Sequence, residues 1–275
     1  MNKTMVEKAA VLFIGRTNFY NNTYSLFFKN FINNNENILF DIYIATWELP
    51  ESEKKDLIDK YNPKQILEYR VSDYKRFIKQ NDLAPVLARM KRKKYNNNCN
   101  IHDFKPSGID VFLIQCFFLN KGLHKINKKT KYDFIFKNRF DVSIEEPFVI
   151  TSIPPGRVFC PRLVCYNSNR NSKKDYIIPK KGFKCWKIHD PFFFGTANTM
   201  LTLLNLLHDL ENRMLIGIRP ETLFVFNFLY NEVKVKSNLD LKIQIIREDI
   251  PSDSPCDHPK SIDGQEQEQE QKDMD

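Results

Sequence analysis

Ala9-Ala10-Val11-Leu12-Phe13-Ile14-Gly15-Arg16 is a short, unbroken apolar run that stops at a glycine and a charge. Six apolar residues without alternation suit a strand buried on both faces, as in a parallel sheet covered by helices. A longer segment follows, Ser25–Asn33, with aromatic residues at near-helical spacing. Strand, loop and helix then repeat. Phe40–Thr46 reads as a second strand, Glu51–Tyr61 as an amphipathic helix carrying Leu57, Ile58 and Tyr61, and Ile66–Val71 as a third strand. Elements alternating at this pitch predict an α/β fold with a mostly parallel central sheet flanked by helices.

Farther along, Val111–Ile126 predicts a largely buried helix and Tyr132–Asn138 a central strand, with Arg139-Phe140-Asp141 where that strand ends. Phe148–Pro191 is rich in Pro, Gly, Asn and Lys and reads as loop. Phe192–Phe194 is a short apolar run closed by Gly195; Thr199–Glu211 and Glu221–Tyr230 carry helical spacing, and Lys242–Ile246 is a last strand. No internal repeat is visible, so one domain over residues 1–248 is expected. Residues 249–275, ending in alternating Gln and Glu, have too few apolar groups to offset their ordering entropy and predict a disordered acidic tail.

The formal net charge of the 275 residues is +8. Six acids and one lysine in Asp263–Asp275 contribute −5, which leaves +13 on the rest. A body this basic favours an anionic partner: nucleic acid, a phosphorylated substrate or an acidic membrane surface. Arg89-Met90-Lys91-Arg92-Lys93-Lys94 is the densest positive cluster, and reads either as a solvated helix face or as a nucleic-acid patch. The apolar runs fall well short of the roughly 20 residues that span a bilayer, and the N-terminus lacks the long apolar core of a signal peptide. A cytoplasmic protein is expected, in a host's cytoplasm if the gene is viral, with peripheral membrane contact left open. The six cysteines show no C-x-x-C pair and read as reduced thiols.

Walker A, G-x-G-x-x-G, H-E-x-x-H and G-x-S-x-G are all absent, which disfavours an NTPase, a dinucleotide dehydrogenase, a zinc protease or an α/β-hydrolase. What stands out is a set of polar residues at predicted strand ends, where open α/β sheets bind ligands. Arg16-Thr17-Asn18 follow the first strand, Thr46-Trp47-Glu48 the second and Arg139 and Asp141 the central one; Asp190 precedes Phe192–Gly195.

In this order the motifs resemble the WavE-like and related glycosyltransferases of surface-polysaccharide synthesis, which have a GT-A-type fold. The resemblance lies in Gly15-Arg16 after the first strand, Thr46-Trp47 after the second, Tyr132-Asp-Phe-Ile-Phe-Lys-Asn-Arg139-Phe-Asp141, Asp190-Pro-Phe-Phe-Phe-Gly195 and Pro220-Glu221. It covers roughly residues 9–235. Lys137-Asn138 departs from the more usual Ile-Arg, and no full Asp-x-Asp is present. The resemblance implies a single GT-A-like (Rossmann-like) domain, a nucleotide-sugar donor and a glycan acceptor. Donor contacts would come from Arg16, Thr17, Asn18, Thr46, Trp47, Gln115, Lys137, Arg139 and Asp141. Asp141 would also hold a divalent cation, Mn²⁺ or Mg²⁺, in the role of the last Asp of Asp-x-Asp, unless Arg16, Lys137 and Arg139 neutralise the phosphates without metal. An inverting transfer needs a carboxylate to take the acceptor's proton, with Asp190 the first choice and Glu221 the second.

Plainer readings exist for each residue: an Arg139–Asp141 surface ion pair, a turn or cap at Asp190, a helix-dipole partner in Glu221, and packing at Trp47. Two rival functions stand beside the transferase. One is a nucleic-acid-binding protein using Arg89–Lys94, a partner the motifs disfavour; the other is an inactive relative that scaffolds other enzymes through its tail.

Overall fold

The computed structural model of the protein describes residues 6–84, 108–129, 131–161, 191–207, 231–239 and 243–246. Arg89–Lys94, Asp190, the Glu221–Tyr230 helix and the acidic tail lie outside these residues.

Strand β1 (Glu7–Ile14) is followed by helix α1 (Tyr20–Asn30), β2 (Ile38–Trp47), α2 (Glu51–Tyr61), β3 (Gln65–Tyr69) and α3 (Val71–Gln80). The second half comprises α4 (Gly108–Lys129), β4 (Phe134–Asn138), β5 (Val142–Ile144), β6 (Arg157–Pro161), β7 (Phe193–Thr196), α5 (Ala197–Leu201), β8 (Lys234–Leu239) and β9 (Ile243–Ile245). Seven strands form one sheet in the order β3-β2-β1-β4-β7-β6-β8, while β5 and β9 pair separately. All neighbours in the large sheet are parallel except those of β7, which runs against both β4 and β6. The α/β class with a mostly parallel, helix-flanked sheet is therefore the fold the sequence predicts.

Strand alternation divides the core between the two faces of the sheet. Ala10, Leu12, Ile14, Tyr43, Ala45, Trp47 and Ile135 meet α3, α4 and α5 through Tyr74, Phe77, Ile78, Phe117, Phe118, Leu123 and Met200. On the opposite face, Val11, Phe13, Ile42, Ile44, Phe134 and Phe136 meet α1 and α2 through Phe27, Phe31, Leu57 and Tyr61. Phe13 is the hub there: its ring stacks on Phe140 at 4.9 Å and takes Phe27 and Tyr61 edge-on at 5.1 and 5.2 Å.

Several boundaries depart from expectation for identifiable reasons. Helix α1 begins five residues earlier, because Phe19 takes a left-handed φ of 72° and turns the chain at once into the helix. Val71, expected to end the third strand, instead opens α3, whose Tyr74, Phe77 and Ile78 bury at i, i+3, i+4 spacing within a segment that reads as merely basic and polar. Strand β6 lies in the region expected to be loop; it is five residues long, starts after a turn at Gly156 and ends on a proline. The last expected strand, β9, forms, but pairs β5 outside the main sheet.

The chain steps outward from β1 through β2 to β3 with α1 and α2 on one face, then returns past β1 to β4 by way of α3 and α4 on the other. Opposite helix placement for opposite directions of travel is what right-handed crossovers require. The strand order therefore reverses between β1 and β4, and the carboxyl ends on either side of such a reversal are where open α/β sheets bind ligands. At the amino ends, polar groups bond one another. The Tyr132 hydroxyl donates to Asp41 Oδ2 at 2.6 Å, bonds the Tyr43 hydroxyl at 2.8 Å and accepts from Lys64 Nζ at 3.2 Å. Lys64 also meets Asp41 at 2.5 Å. Although burial alone would raise the Asp41 pKa, the bonds from Lys64 and Tyr132 hold it below the usual carboxylate value.

Candidate active site

Gly15 ends β1 with φ +100°, a conformation that costs a glycine little, while its amide still donates to Ala45 O at 3.1 Å. That turn carries Arg16, Thr17 and Asn18 over the carboxyl end of the sheet. Thr17 is buried, and its hydroxyl donates to Glu53 of α2; Asn18 is exposed. At the first residue of α1, the Tyr20 hydroxyl donates to Asp56, and burial together with that carboxylate pushes the Tyr20 pKa up to about 12. The first turn of α1 is thus anchored to α2.

Across the reversal, register sets Phe13 against Asn138, so Arg139 leaves β4 about level with the end of β1. The Arg139-Phe140-Asp141 turn is held at every residue. Arg139 O accepts from Val142 N at 3.3 Å, Phe140 O from the Thr23 hydroxyl at 2.7 Å, and Asp141 O from Ile246 N at 2.8 Å. Arg139 and Asp141 also bind each other in a two-pronged ion pair: Nε donates to Oδ1 at 2.9 Å and an Nη2 hydrogen to Oδ2. The Arg139 side chain is 29% exposed and that of Asp141 17%. Among the described residues, no group of three or more His, Cys, Asp and Glu side chains could hold a metal ion.

Alternation sends the other predicted residues to both faces. Lys137 lies on the α4 side, fully buried, its ammonium 5.3 Å from the centre of the Phe193 ring. Cys116 of α4 is close enough to feel that charge, although burial still pushes the thiol pKa well up. Trp47 is buried on the same face against Phe118 at 4.8 Å and Phe117 at 6.3 Å, so its ring packs in the core. Thr46 lies on the α1/α2 side beside Gly15, and Asn138 lies there beside Phe13. Arg139 and Asp141 touch directly; Lys137 and Thr46 stand at the same end of the sheet on opposite sides of it.

Among the described residues, buried side-chain atoms without a hydrogen-bond partner are Thr46 Oγ1 and Asn138 Nδ2 on the α1/α2 side, Gln115 Oε1 on α4 and, just past the Arg139–Asp141 turn, Ser143 Oγ. Native proteins pair nearly all such atoms, and those left over call for a cause. Asn138 escaped the sequence reading as a site residue. Its signal was present: Lys137-Asn138 puts two consecutive polar residues in an otherwise apolar strand, where alternation allows only one of them to face any given side.

A neighbouring cleft of about 520 Å³ opens at the carboxyl ends of β2 and β3. Its walls carry an Arg70–Glu48 pair at 2.7 Å and a Lys54–Glu68 pair at 2.5 Å. It adjoins the Thr46-Trp47 end of β2, one strand away from the reversal.

No family model matches the chain, and no curated protein does. Among solved structures, the apo form of mouse xyloside xylosyltransferase 1 is similar to it with a TM-score of 0.46 and 10% identity, covering 84% of each chain.

Proposed function

We propose that this chain is a nucleotide-sugar-dependent glycosyltransferase that moves a sugar onto a glycan acceptor in surface-polysaccharide or glycoprotein-glycan synthesis. The observation that carries the reading is the pair of buried, unpartnered polar atoms on Thr46 and Asn138, on the α1/α2 side at the strand ends that Arg16 and Arg139 follow. Unsatisfied groups of this kind cost free energy in the empty protein and recover it when a polar ligand arrives. The cationic side chains of Arg16 and Arg139 suit the phosphates of that ligand. The short motifs shared with WavE-like transferases and the net positive body agree with this choice.

In the transfer, the bond between the anomeric carbon and the donor phosphate oxygen breaks, and a bond to the acceptor oxygen forms. Negative charge develops on the departing nucleotide diphosphate, where fixed cations stabilise it. For an inverting transfer the acceptor hydroxyl must lose its proton to a carboxylate, a role assigned on sequence to Asp190 and then Glu221. Residues 1–248 are assigned to the catalytic domain.

The test is a thermal-shift panel of UDP, GDP, CMP and their sugars, with Mn²⁺, Mg²⁺ or EDTA, since a ligand that binds only the folded state raises its apparent stability. One nucleotide should raise the melting temperature, and Asp190→Asn should retain that shift while losing transfer. Silence from every nucleotide, beside tight salt-sensitive binding to DNA or RNA, would replace the reading with a nucleic-acid-binding one.

A further inference from the structure

Resting on the nucleotide-sugar reading, we propose that Asp141 is a positioning residue for Arg139 rather than a metal ligand, and that the guanidinium it holds is the cation set against the donor's phosphates. Both carboxylate oxygens of Asp141 are engaged by Arg139. A divalent cation at Asp141 would have to displace that pair or sit beside a full positive charge, and either costs Coulomb energy. The Asp141 side chain is also the less exposed of the two, at 17% against 29% for Arg139.

The surrounding backbone supports a fixed guanidinium. All three carbonyls of the Arg139-Phe140-Asp141 turn accept hydrogen bonds, from Val142, Thr23 and Ile246, and the Phe140 ring is stacked on Phe13. A turn anchored to α1, to the first residue of β5 and to the residue after β9 cannot reorient without breaking these bonds. The two-pronged pairing with Asp141 fixes the plane of the guanidinium. Such preorganisation lets charge developing on a phosphate be met without rearrangement. Lys at position 139 would keep the charge but lose the fork that both partners read.

The experiment uses the full chain and two probes, Mn²⁺ followed by its EPR signal and inorganic pyrophosphate titrated calorimetrically in EDTA. The variants are Asp141→Asn, Asp141→Glu, Arg139→Lys and the double variant Asp141→Asn/Arg139→Lys, each checked for folding by its melting curve. The wild type should bind pyrophosphate in EDTA, with about tenfold loss in Asp141→Asn and about tenfold or more in Arg139→Lys. The double variant should be no weaker than Arg139→Lys alone, because the two residues act as one unit. Asp141→Glu, which keeps the carboxylate, should recover part of the loss. Mn²⁺ binding should not change in Asp141→Asn. A Mn²⁺ site removed by that variant, additive losses in the double variant, or no pyrophosphate binding in EDTA would overturn the assignment. Should Asp141→Asn not fold, Arg139→Lys and Asp141→Glu still decide the pyrophosphate result. A silent nucleotide panel beside the expected pyrophosphate pattern sinks the transferase reading and leaves the clamp standing. A nucleotide bound only with Mn²⁺ through Asp141 does the reverse.

Discussion

The two ends of the central sheet treat buried polarity in opposite ways. At the amino end, Tyr43, Tyr132, Asp41 and Lys64 close into a network in which each hydroxyl and carboxylate named has a partner. At the carboxyl end, Thr46 and Asn138 each bury a polar atom with none. One sequence has thus solved the same problem at one end and left it open at the other. A satisfied network rigidifies, whereas an unsatisfied set stores a cost that a ligand can relieve. The difference agrees with the proposed binding of a ligand at the carboxyl end.

The contrast predicts substitutions of opposite sign. Tyr132→Phe should have the largest effect, destabilising the fold by about 1–3 kcal/mol, because it strips partners from the buried Tyr43 hydroxyl and from Asp41. Denaturant titration would measure it, and nucleotide affinity should be untouched. Thr46→Val should go the other way: removing an unpartnered buried hydroxyl at nearly constant shape should leave stability unchanged or raise it by up to about 1 kcal/mol. If both variants destabilise alike, the distinction between the two ends fails. The smallest effect is on acid stability. The folded pKa of Asp41 is depressed, so its contribution is present above the unfolded value of 3.8 and is lost as pH falls through the folded value. Solvent reaches this pair, with side chains 39% and 36% exposed, which reduces its weight. Asp41→Asn should accordingly flatten the stability profile below about pH 4 and shift it slightly above.

How much of this was legible beforehand differs between the two halves of the chain. Residues 7–69 announce themselves, because parallel strands buried on both faces are continuous apolar runs and α2 carries a plain amphipathic stripe. Helix α3 was hidden by its own charged residues, which outnumber the three that bury. Strands β6 and β8 were hidden by brevity and by lysine and proline, and the reversed direction of β7 depends on long-range pairing that no local pattern encodes. Arg139 and Asp141 could be picked out as polar residues just past a buried strand. That they would grip each other could not, since residues two apart on a turn face either together or apart, and the turn here is held by distant partners, Thr23, Phe13 and Ile246. Trp47, expected near the donor, is held by Phe117 and Phe118, from a helix some seventy positions later in the chain.

Gly122 has a mechanical consequence. A methyl group there would fall 2.5 and 2.6 Å from the two terminal carbons of Leu12, so the glycine lets the main chain of α4 come down onto the end of that side chain. Rings pack on both faces of the sheet, Trp47 against Phe118 on the α4 side and Phe13 on Phe140 and Phe136 on Phe194 on the other. At the Gly122 contact the yielding partner is therefore the tip of a leucine, and an alanine in the helix would be met by a turned Leu12 side chain before the helix itself had to lift.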